Sequence, residues 1–117
     1  DRQHVLDHPL GKLPVLKRVQ IEKQFTVRYG DLDINQHVNN VRYIEWLLEC
    51  LTGIVEKGRC LSELEINFLG EALHGDRVRA RCCRRDGKGT RIDHDVLRET
   101  DGRELIRART AWVKTGN

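Results

Sequence analysis

The sequence predicts an α+β domain in which an antiparallel sheet of about five strands wraps around one long helix. Apolar and polar residues alternate along five separate segments, which is typical of strands with one buried face. One segment after residue 40 instead repeats its apolar residues every three or four positions, as an amphipathic helix does. Tight-turn sequences then join the last strands in series, which favours antiparallel pairing.

The composition is that of one globular domain. A chain of 117 residues is long enough for one core, and 38% hydrophobic with 33% charged residues excludes a disordered chain. The net charge of +3 is too small to suggest nucleic acid as a partner. No apolar run approaches the ~20 residues that a membrane span needs, and the first residues lack a signal-peptide pattern. We therefore expect a cytoplasmic protein that binds neither nucleic acid nor membrane.

The segment before the first strand, residues 1–18, contains both prolines, Pro9 and Pro14, and shows no sustained apolar period. Such a composition is typical of a linker or an N-terminal arm rather than of a packed element. We therefore predict two parts in the chain, a linker or arm over residues 1–18 and a single domain over residues 19–117.

The first alternating segment runs from Val19 to Tyr29 and leads into an unusually polar loop. A simple turn needs only one Gly and one Asp, whereas this loop places six polar side chains within ten residues. They are Asp31, Asp33, Asn35, His37, Asn39 and Asn40. Catalytic residues concentrate on loops that rigid elements hold in place. We therefore interpret this stretch as an active-site loop that leads into a buried helix.

A helix follows this loop. Asn39 or Asn40 can cap its start, because a short side-chain oxygen accepts from the free N–H groups of the first turn. Tyr43 and Trp46 widen the apolar stripe so far that we expect other structure to wrap the helix on most sides. The other members of the stripe are Val41, Ile44, Leu47, Leu48 and Leu51. The N–H groups at the start of the helix, from Val38 to Asn40, also carry a partial positive charge that can stabilise an oxyanion.

Four more alternating segments follow the helix and predict the remaining strands. Their residues are Leu64–Phe68, Val78–Cys82, Ile92–Val96 and Leu105–Lys114. The turn sequences between the last three are residues 86–89 and Asp101–Gly102. Either face of the last strand can be the buried one. A single sheet of this kind leaves an open face and edges, which favours pairing with a second copy.

Cysteine and histidine side chains outside the loop are interpreted as structural. The four cysteines form no CxxC pair, so we expect no zinc site and predict small apolar core residues in a reducing compartment. They are Cys50, Cys60, Cys82 and Cys83. His94 alternates with Ile92 and Val96, which predicts a core or interface histidine.

Two stretches of the sequence resemble signatures of plant and bacterial acyl-ACP thioesterases. The first is the segment Asp31–Trp46, which reads DLDINQHVNNVRYIEW. The second is Leu64–Ile66 followed by Gly70–Ala72. The resemblance covers Phe25 to Lys114 and implies the hotdog fold, in which an antiparallel sheet wraps around one helix. Enzymes of that family carry two hotdog units in tandem, and this sequence resembles only the C-terminal unit.

The resemblance implies a catalytic set of four side chains and no metal or organic cofactor. Asp33 would attack the thioester directly or order a water, and a turn-forming aspartate is the alternative. His37 would shuttle a proton, since imidazole exchanges protons near neutral pH, or would only orient the chain. Asn35 would hold the thioester carbonyl or orient His37, unless it only forms the turn. Glu71 would activate water, and the alternative is a solvated glutamate.

Further expectations concern the surroundings of this set. Ala72 stands where plant members of the family carry a cysteine, which favours attack by water that the acidic residues serve. Asn39 and Asn40 are interpreted as caps rather than as catalysts. We also expect Asp33 and Glu71 to face one apolar slot beside the helix, at the boundary between two hotdog units, which would hold the acyl chain.

The resemblance implies a thioesterase that hydrolyses fatty acyl-ACP to free fatty acid and carrier in fatty acid biosynthesis. We expect a thioester of acyl carrier protein or of coenzyme A as the substrate, and a homodimer or pairing with a second hotdog unit. The alternatives are a single-hotdog acyl-CoA thioesterase of the 4-hydroxybenzoyl-CoA type and a non-catalytic acyl-binding half of a tandem protein. A row of arginines is either a docking patch for the acidic carrier or a solvated strand face. It comprises Arg77, Arg79, Arg81, Arg84, Arg85, Arg91, Arg107 and Arg109.

Overall fold

The computed structural model describes residues 13–85 and 90–115, together with the backbone of residues 4–7. These residues form one α-helix, a short 3-10 helix at Tyr29–Asp31 and six strands. The elements are β1 (His4–Asp7), β2 (Ile21–Thr26), α1 (Asn40–Glu49), β3 (Arg59–Phe68), β4 (Arg77–Arg84), β5 (Arg91–Arg98) and β6 (Glu104–Lys114). The turn predicted at residues 86–89 lies outside the described residues, as does Pro9.

All six strands form one sheet in the order β1-β3-β6-β5-β4-β2. β1 runs parallel to β3, and every other neighbouring pair is antiparallel. This topology confirms the predicted α+β class, and it adds a strand at His4–Asp7, where only a linker or arm was predicted. Four residues are too few to show a period. Their pairing with the edge of β3 is a tertiary contact that the local sequence does not reveal.

The first predicted strand is shorter than expected, because it ends at Thr26 and not at Tyr29. Val27 continues the alternation but pairs outside the sheet, and its N–H donates to the Asp76 carbonyl at 2.8 Å. The chain then tightens into the 3-10 helix Tyr29–Asp31. The alternation of apolar residues therefore extends beyond the strand that it predicts.

Helix α1 packs its buried face against the sheet, mainly against β4 and β5. Tyr43, Trp46 and Leu47 are buried on that face. The expectation that other structure wraps the helix on most sides fails at Val41, which is 57% exposed, while Ile44 and Leu48 are partly buried against the core. The apolar stripe of the helix is wider than the face that this chain covers.

The inner face of the sheet forms the core together with α1. Ile66, Val78, Val96 and Ile106 are each 0% exposed, and burying one such side chain contributes about 1.5–3 kcal/mol of transfer free energy. The sequence did not decide which face of the last strand is buried. The face that points into the core is the one that carries Ile106. Leu105 beside it is also fully buried.

Residues 13–20 cross the outer face of the sheet. The Leu13 N–H donates to Asn67 Oδ1 at 2.7 Å, and the Leu13 carbonyl accepts from Arg107 Nη1 at 2.9 Å. At the other end of the segment, the Gln20 N–H donates to the backbone of β4 at 2.8 Å. The end of the predicted linker or arm is therefore packed on the sheet and runs directly into β2.

Several arginines of the row pair with carboxylates on the same outer face. Arg81 makes two hydrogen bonds, at 2.8 and 2.6 Å, to the buried Asp95. Other pairs are Arg79–Glu22 at 3.5 Å, Arg107–Glu104 at 2.7 Å and Arg109–Asp93 at 3.2 Å. Because these carboxylates offset much of the positive charge locally, the arrangement favours the solvated strand face over the docking patch.

The cysteines are free thiols, and they do not all lie in the core. Cys50, Cys82 and Cys83 are buried as predicted, but Cys60 is exposed, so that prediction is wrong for Cys60. Among the residues with described side chains, no group of three or more His, Cys, Asp or Glu is arranged to hold a metal ion. In the same part of the chain no helix has the length and apolar character to cross a membrane.

His94 lies in the core, which was one of the two locations predicted for it. The side chain is 2% exposed, and its Nε2 lies 2.8 Å from Thr110 Oγ1. Trp112 Nε1 donates to the same hydroxyl oxygen at 2.8 Å. Burial lowers the pKa of His94 to about 3, because the charged imidazolium would lose its hydration. The residue is therefore neutral in the folded protein.

We expect the buried His94 to make the fold sensitive to mild acid. The unfolded imidazole has a pKa of about 6.5, and the folded one a pKa of about 3, so the unfolded chain binds the extra proton between these values. The contribution of neutral His94 to the free energy of unfolding is fully present above pH ~6.5. It is lost as the pH falls toward ~3, by about 1 kcal/mol per pH unit inside that window. Urea unfolding between about pH 7 and pH 5 measures this slope.

The matched variants are His94→Gln and His74→Gln, since His74 is exposed. His94→Gln should flatten the pH dependence of the unfolding free energy, and His74→Gln should leave it as in the wild type. Equal slopes for the wild type and His94→Gln would contradict the prediction.

Candidate active site

The polar loop between β2 and α1 closes on itself. Leu32 and Val38 form an antiparallel bridge at its base. Inside it, the Asp33 N–H donates to the His37 carbonyl at 2.7 Å. Gln36 at the tip has φ = 67°, in the left-handed region that few non-glycine residues adopt. The loop is therefore a defined turn rather than an open connection.

Asp33 holds this turn through one of its two carboxylate oxygens. Oδ1 accepts from the backbone N–H of Asn35 at 2.9 Å and from that of His37 at 3.1 Å. This is the turn-forming role that the sequence left as an alternative. Oδ2 has no hydrogen-bond partner within the described part of the chain, so the residue can also accept from a substrate or a water. One side chain can therefore hold the turn and still offer an acceptor to the cleft.

His37 and Glu71 form a pair across 34 positions of the sequence. Nδ1 of His37 lies 2.7 Å from Oε1 of Glu71, and the two side chains are 57% and 55% exposed. A carboxylate only accepts, so Nδ1 carries the proton and Nε2 of the neutral ring carries a lone pair. This arrangement suits a base that is oriented by an acid partner and remains accessible to a substrate.

The break after β3 brings Glu71 to this position. The N–H groups of Leu69 and Gly70 both donate to the Leu105 carbonyl, at 2.8 and 3.3 Å, and end the pairing with β6. A Cβ on Gly70 would lie 3.2 Å from the buried Leu105 Cδ2 and 2.9 Å from Arg103 Nε. Gly70 therefore lets the chain leave the sheet close to β6, and Glu71 follows directly.

The start of α1 borders the same loop. Asn39 is the cap, because its side-chain oxygen accepts from the Val41 N–H at 3.0 Å, and Asn40 is the first helical residue. The Asn39 N–H donates to the Asp31 carbonyl at 3.0 Å, which occupies one of the donors that were considered for an oxyanion. Val38 is buried under the loop, with 4% exposure.

The predicted site residues line one cleft of about 440 Å³. They are Asp33, Asn35, His37, Val38, Asn39, Asn40 and Glu71. Within the described chain, Asn35 contributes a hydrogen bond only through its backbone, and its side chain lies at the cleft wall. The residues that the sequence predicted as one site therefore lie side by side in the fold, including Glu71, which is distant in the sequence.

Within this chain the cleft of Asp33 and Glu71 is mostly polar, and the apolar slot expected at the boundary between two hotdog units stays a prediction. Val38 is the apolar side chain of their cleft, and the other lining residues are polar. A separate groove of about 600 Å³ runs between α1 and β2, and it shares no lining residue with the cleft. Phe25 and Trp46, whose rings stack at 5.9 Å, form its apolar wall.

Sequence reasoning missed the role of Asp31. This carboxylate is 7% exposed, and it accepts from the Arg28 N–H at 2.8 Å and lies 3.1 Å from Arg42 Nε. It therefore connects the end of β2 to the first turn of α1. The only signal in the sequence is an acidic residue at the start of the loop and a basic one on the helix, which is too common a pattern to indicate a pair.

Comparison with known proteins decides the family. The family model that describes the C-terminal domain of acyl-ACP thioesterases matches residues 16–114. The chain belongs to the acyl-ACP thioesterase family. A palmitoyl-acyl carrier protein thioesterase from Cuphea hookeriana is 36% identical over 109 residues, which cover 91% of this chain and 26% of that protein. A dodecanoyl-[acyl-carrier-protein] hydrolase from Cinnamomum camphora is 32% identical over 95 residues, 79% of this chain and 25% of its own length.

Solved structures of the same family share the fold of this thioesterase-family chain. The 12:0-ACP thioesterase from Umbellularia californica superposes with a TM-score of 0.79 at 27% identity, over 91% of this chain and 40% of that one. An acyl-ACP thioesterase from Bacteroides thetaiotaomicron gives a TM-score of 0.69 at 25% identity, over 90% and 43% of the two chains. The hotdog fold that the resemblance implied is thus confirmed, and the chain spans about a quarter of the length of the curated relatives it matches.

The cap assignment gives a stability test. Asn39→Ala should lower the free energy of unfolding by about 1 kcal/mol, because the Val41 N–H loses its acceptor. Asn40→Ala is the matched control, since it removes the same amide from the neighbouring position, and its effect should stay within about 0.5 kcal/mol. Urea unfolding measures both values. Equal losses in the two variants would show that Asn39 is not the cap.

Proposed function

We propose that this chain is the hydrolytic unit of an acyl-ACP thioesterase, which releases a free fatty acid from its carrier. The observation that carries the proposal is the shared cleft, in which the His37–Glu71 pair and Asp33 lie around one open volume. A thioester carbonyl is electrophilic, so its hydrolysis needs a positioned water, a base and donors for the developing oxyanion.

The proposed reaction uses water as the nucleophile. Glu71 holds the imidazole of His37 in place. Nε2 of His37 removes a proton from a water molecule while the water oxygen bonds to the thioester carbon. The free oxygen of Asp33 orients that water, and the Asn35 amide donates to the oxyanion. The tetrahedral intermediate then collapses, the C–S bond breaks, and the imidazolium returns its proton to the departing sulfur. Carboxylic acid and free thiol are the products, and no further reactant is needed.

The substrate class comes from the relatives. Those named above are a palmitoyl-acyl carrier protein thioesterase and a dodecanoyl-[acyl-carrier-protein] hydrolase, so we propose a fatty acyl chain on acyl carrier protein, in fatty acid biosynthesis. The reaction needs no metal ion. A reducing compartment such as the cytoplasm is the proposed location, because Cys50, Cys82 and Cys83 are buried, unpaired thiols.

A second hotdog unit is proposed to complete the acyl slot. The groove along α1 is open, its Phe25 and Trp46 rings form an apolar wall, and Val41 on the same helix is exposed. Such a groove binds a fatty chain well only when another surface covers it. Either a second copy of this chain or a tandem unit in a longer protein would supply that cover.

Loss of either carboxylate should strongly reduce turnover and leave a measurable residual rate. Asp33→Asn and Glu71→Gln keep the shape of the side chains, and each should lower kcat for palmitoyl-ACP by at least about 100-fold, because water loses its orienting group or its oriented base. Circular dichroism should show that both variants remain folded. Glu56→Gln changes an exposed carboxylate outside the cleft and should keep wild-type kcat. Wild-type turnover in both site variants would refute the proposed roles.

The carrier can be identified by giving the protein one acyl group on two carriers. We expect kcat/KM for palmitoyl-ACP to exceed that for palmitoyl-CoA by about tenfold or more. Release of free thiol measures both reactions. A preference for coenzyme A would support the acyl-CoA thioesterase instead, and acyl binding without thiol release from either carrier would support a non-catalytic module.

A further inference from the structure

The peptide unit between Glu71 and Ala72 is held from both sides. Its carbonyl oxygen, which belongs to Glu71, accepts from Arg98 Nη1 at 2.8 Å. Its N–H, which belongs to Ala72, donates to the hydroxyl oxygen of Tyr43 at 2.9 Å. In a trans peptide these two groups point in opposite directions. One bond therefore comes from the β5–β6 hairpin, the other comes from α1, and together they fix the plane of this peptide.

The Tyr43 side of this clamp is buried. Tyr43 is 2% exposed and Ala72 is 1% exposed, so no bulk water competes for their hydrogen bond. The ring of Tyr43 packs edge-on against Trp46 at 5.4 Å and against Phe68 at 6.4 Å. These contacts hold the ring in one place, and the hydroxyl adds a directed bond that packing alone does not require.

The Arg98 side is preorganised by a second carboxylate. Arg98 Nε and Nη2 donate to the two oxygens of Asp101 at 3.0 and 2.8 Å. Asp101 Oδ1 also accepts from the Arg103 N–H at 3.0 Å, which ties it to the hairpin turn. With two of its donor nitrogens fixed in this way, the guanidinium presents Nη1 to the Glu71 carbonyl at a set angle.

We infer that Tyr43 and Arg98 are positioning residues for the hydrolytic site, and that they act through the backbone of Glu71. Glu71 is solvent-exposed and follows a break in the sheet, so its own side chain has little packing to hold it. The clamp sets where the Glu71 backbone lies relative to the loop that carries His37. It therefore maintains the 2.7 Å contact that selects the Nδ1-protonated imidazole. The inference rests on the proposed function.

The test removes one hydroxyl. Tyr43→Phe keeps the ring and its contacts with Trp46 and Phe68, and Tyr29→Phe is the matched control, because Tyr29 is 69% exposed. With palmitoyl-ACP, Tyr43→Phe should lower kcat about tenfold and leave KM within about twofold, since a misplaced base weakens the chemical step and not the binding of the acyl chain. Tyr29→Phe should match the wild type.

A second arm tests whether the effect passes through Glu71. In a Glu71→Gln background, Tyr43→Phe should change kcat less than about twofold, because the group that it positions is already lost. Arg98→Lys should behave like Tyr43→Phe in both backgrounds, and Arg77→Lys on the neighbouring strand is its control. A tenfold loss that persists in the Glu71→Gln background would overturn the inference, because it would show a general structural role.

The third arm does not depend on turnover. Ring ¹⁵N chemical shifts of His37 should report the Nδ1-protonated tautomer in the wild type and a mixture of tautomers in Tyr43→Phe and Arg98→Lys. If the chain hydrolyses no thioester, the proposed function fails while these shifts still test the clamp. Wild-type shifts of His37 in both variants would overturn the inference.

Discussion

The buried carboxylate of Asp31 is the contact on which the site depends most. It receives the Arg28 N–H on one side and pairs with Arg42 on the other, and its own carbonyl accepts from the N–H of Asn39. A single residue thus connects the end of β2, the base of the loop and the first turn of α1. A buried carboxylate without such partners would be costly, so the pairing and the loop geometry support each other.

The polar cleft and the groove with the apolar wall are separate parts of the surface. The cleft that contains Asp33, His37 and Glu71 and the groove that contains Phe25 and Trp46 share no lining residue, although α1 contributes to both. If the proposed function holds, the charged groups of the cleft remain hydrated in such an arrangement, and an acyl chain can lie on the apolar wall of the groove. The thioester would then have to span the N-terminal part of α1, which places its carbonyl near the capped end of that helix.

Periodicity in the sequence was enough for the elements whose partners are local or repetitive. Alternation indicated β4, β5 and β6, and the two signature stretches predicted that Glu71 lies with the loop. Periodicity could not indicate β1, because four residues carry no period. The apolar stripe of α1 also overestimated how much of that helix this chain covers. The bonds of Tyr43 to Ala72 and of Arg98 to Glu71 span 29 and 27 positions. Such contacts follow from tertiary geometry, and neither residue type marks them in the sequence.

The parallel strand β1 has a consequence for association. Among the described strands it occupies the side of β3 that would otherwise be unpaired, and β2 remains open at the opposite end of the sheet. A molecule that adds a strand next to β3 must first displace His4–Asp7, so assembly there competes with a contact made within the same chain. A strand that pairs with β2 displaces no described strand. The two edges of the sheet therefore differ in the free-energy cost of adding a strand.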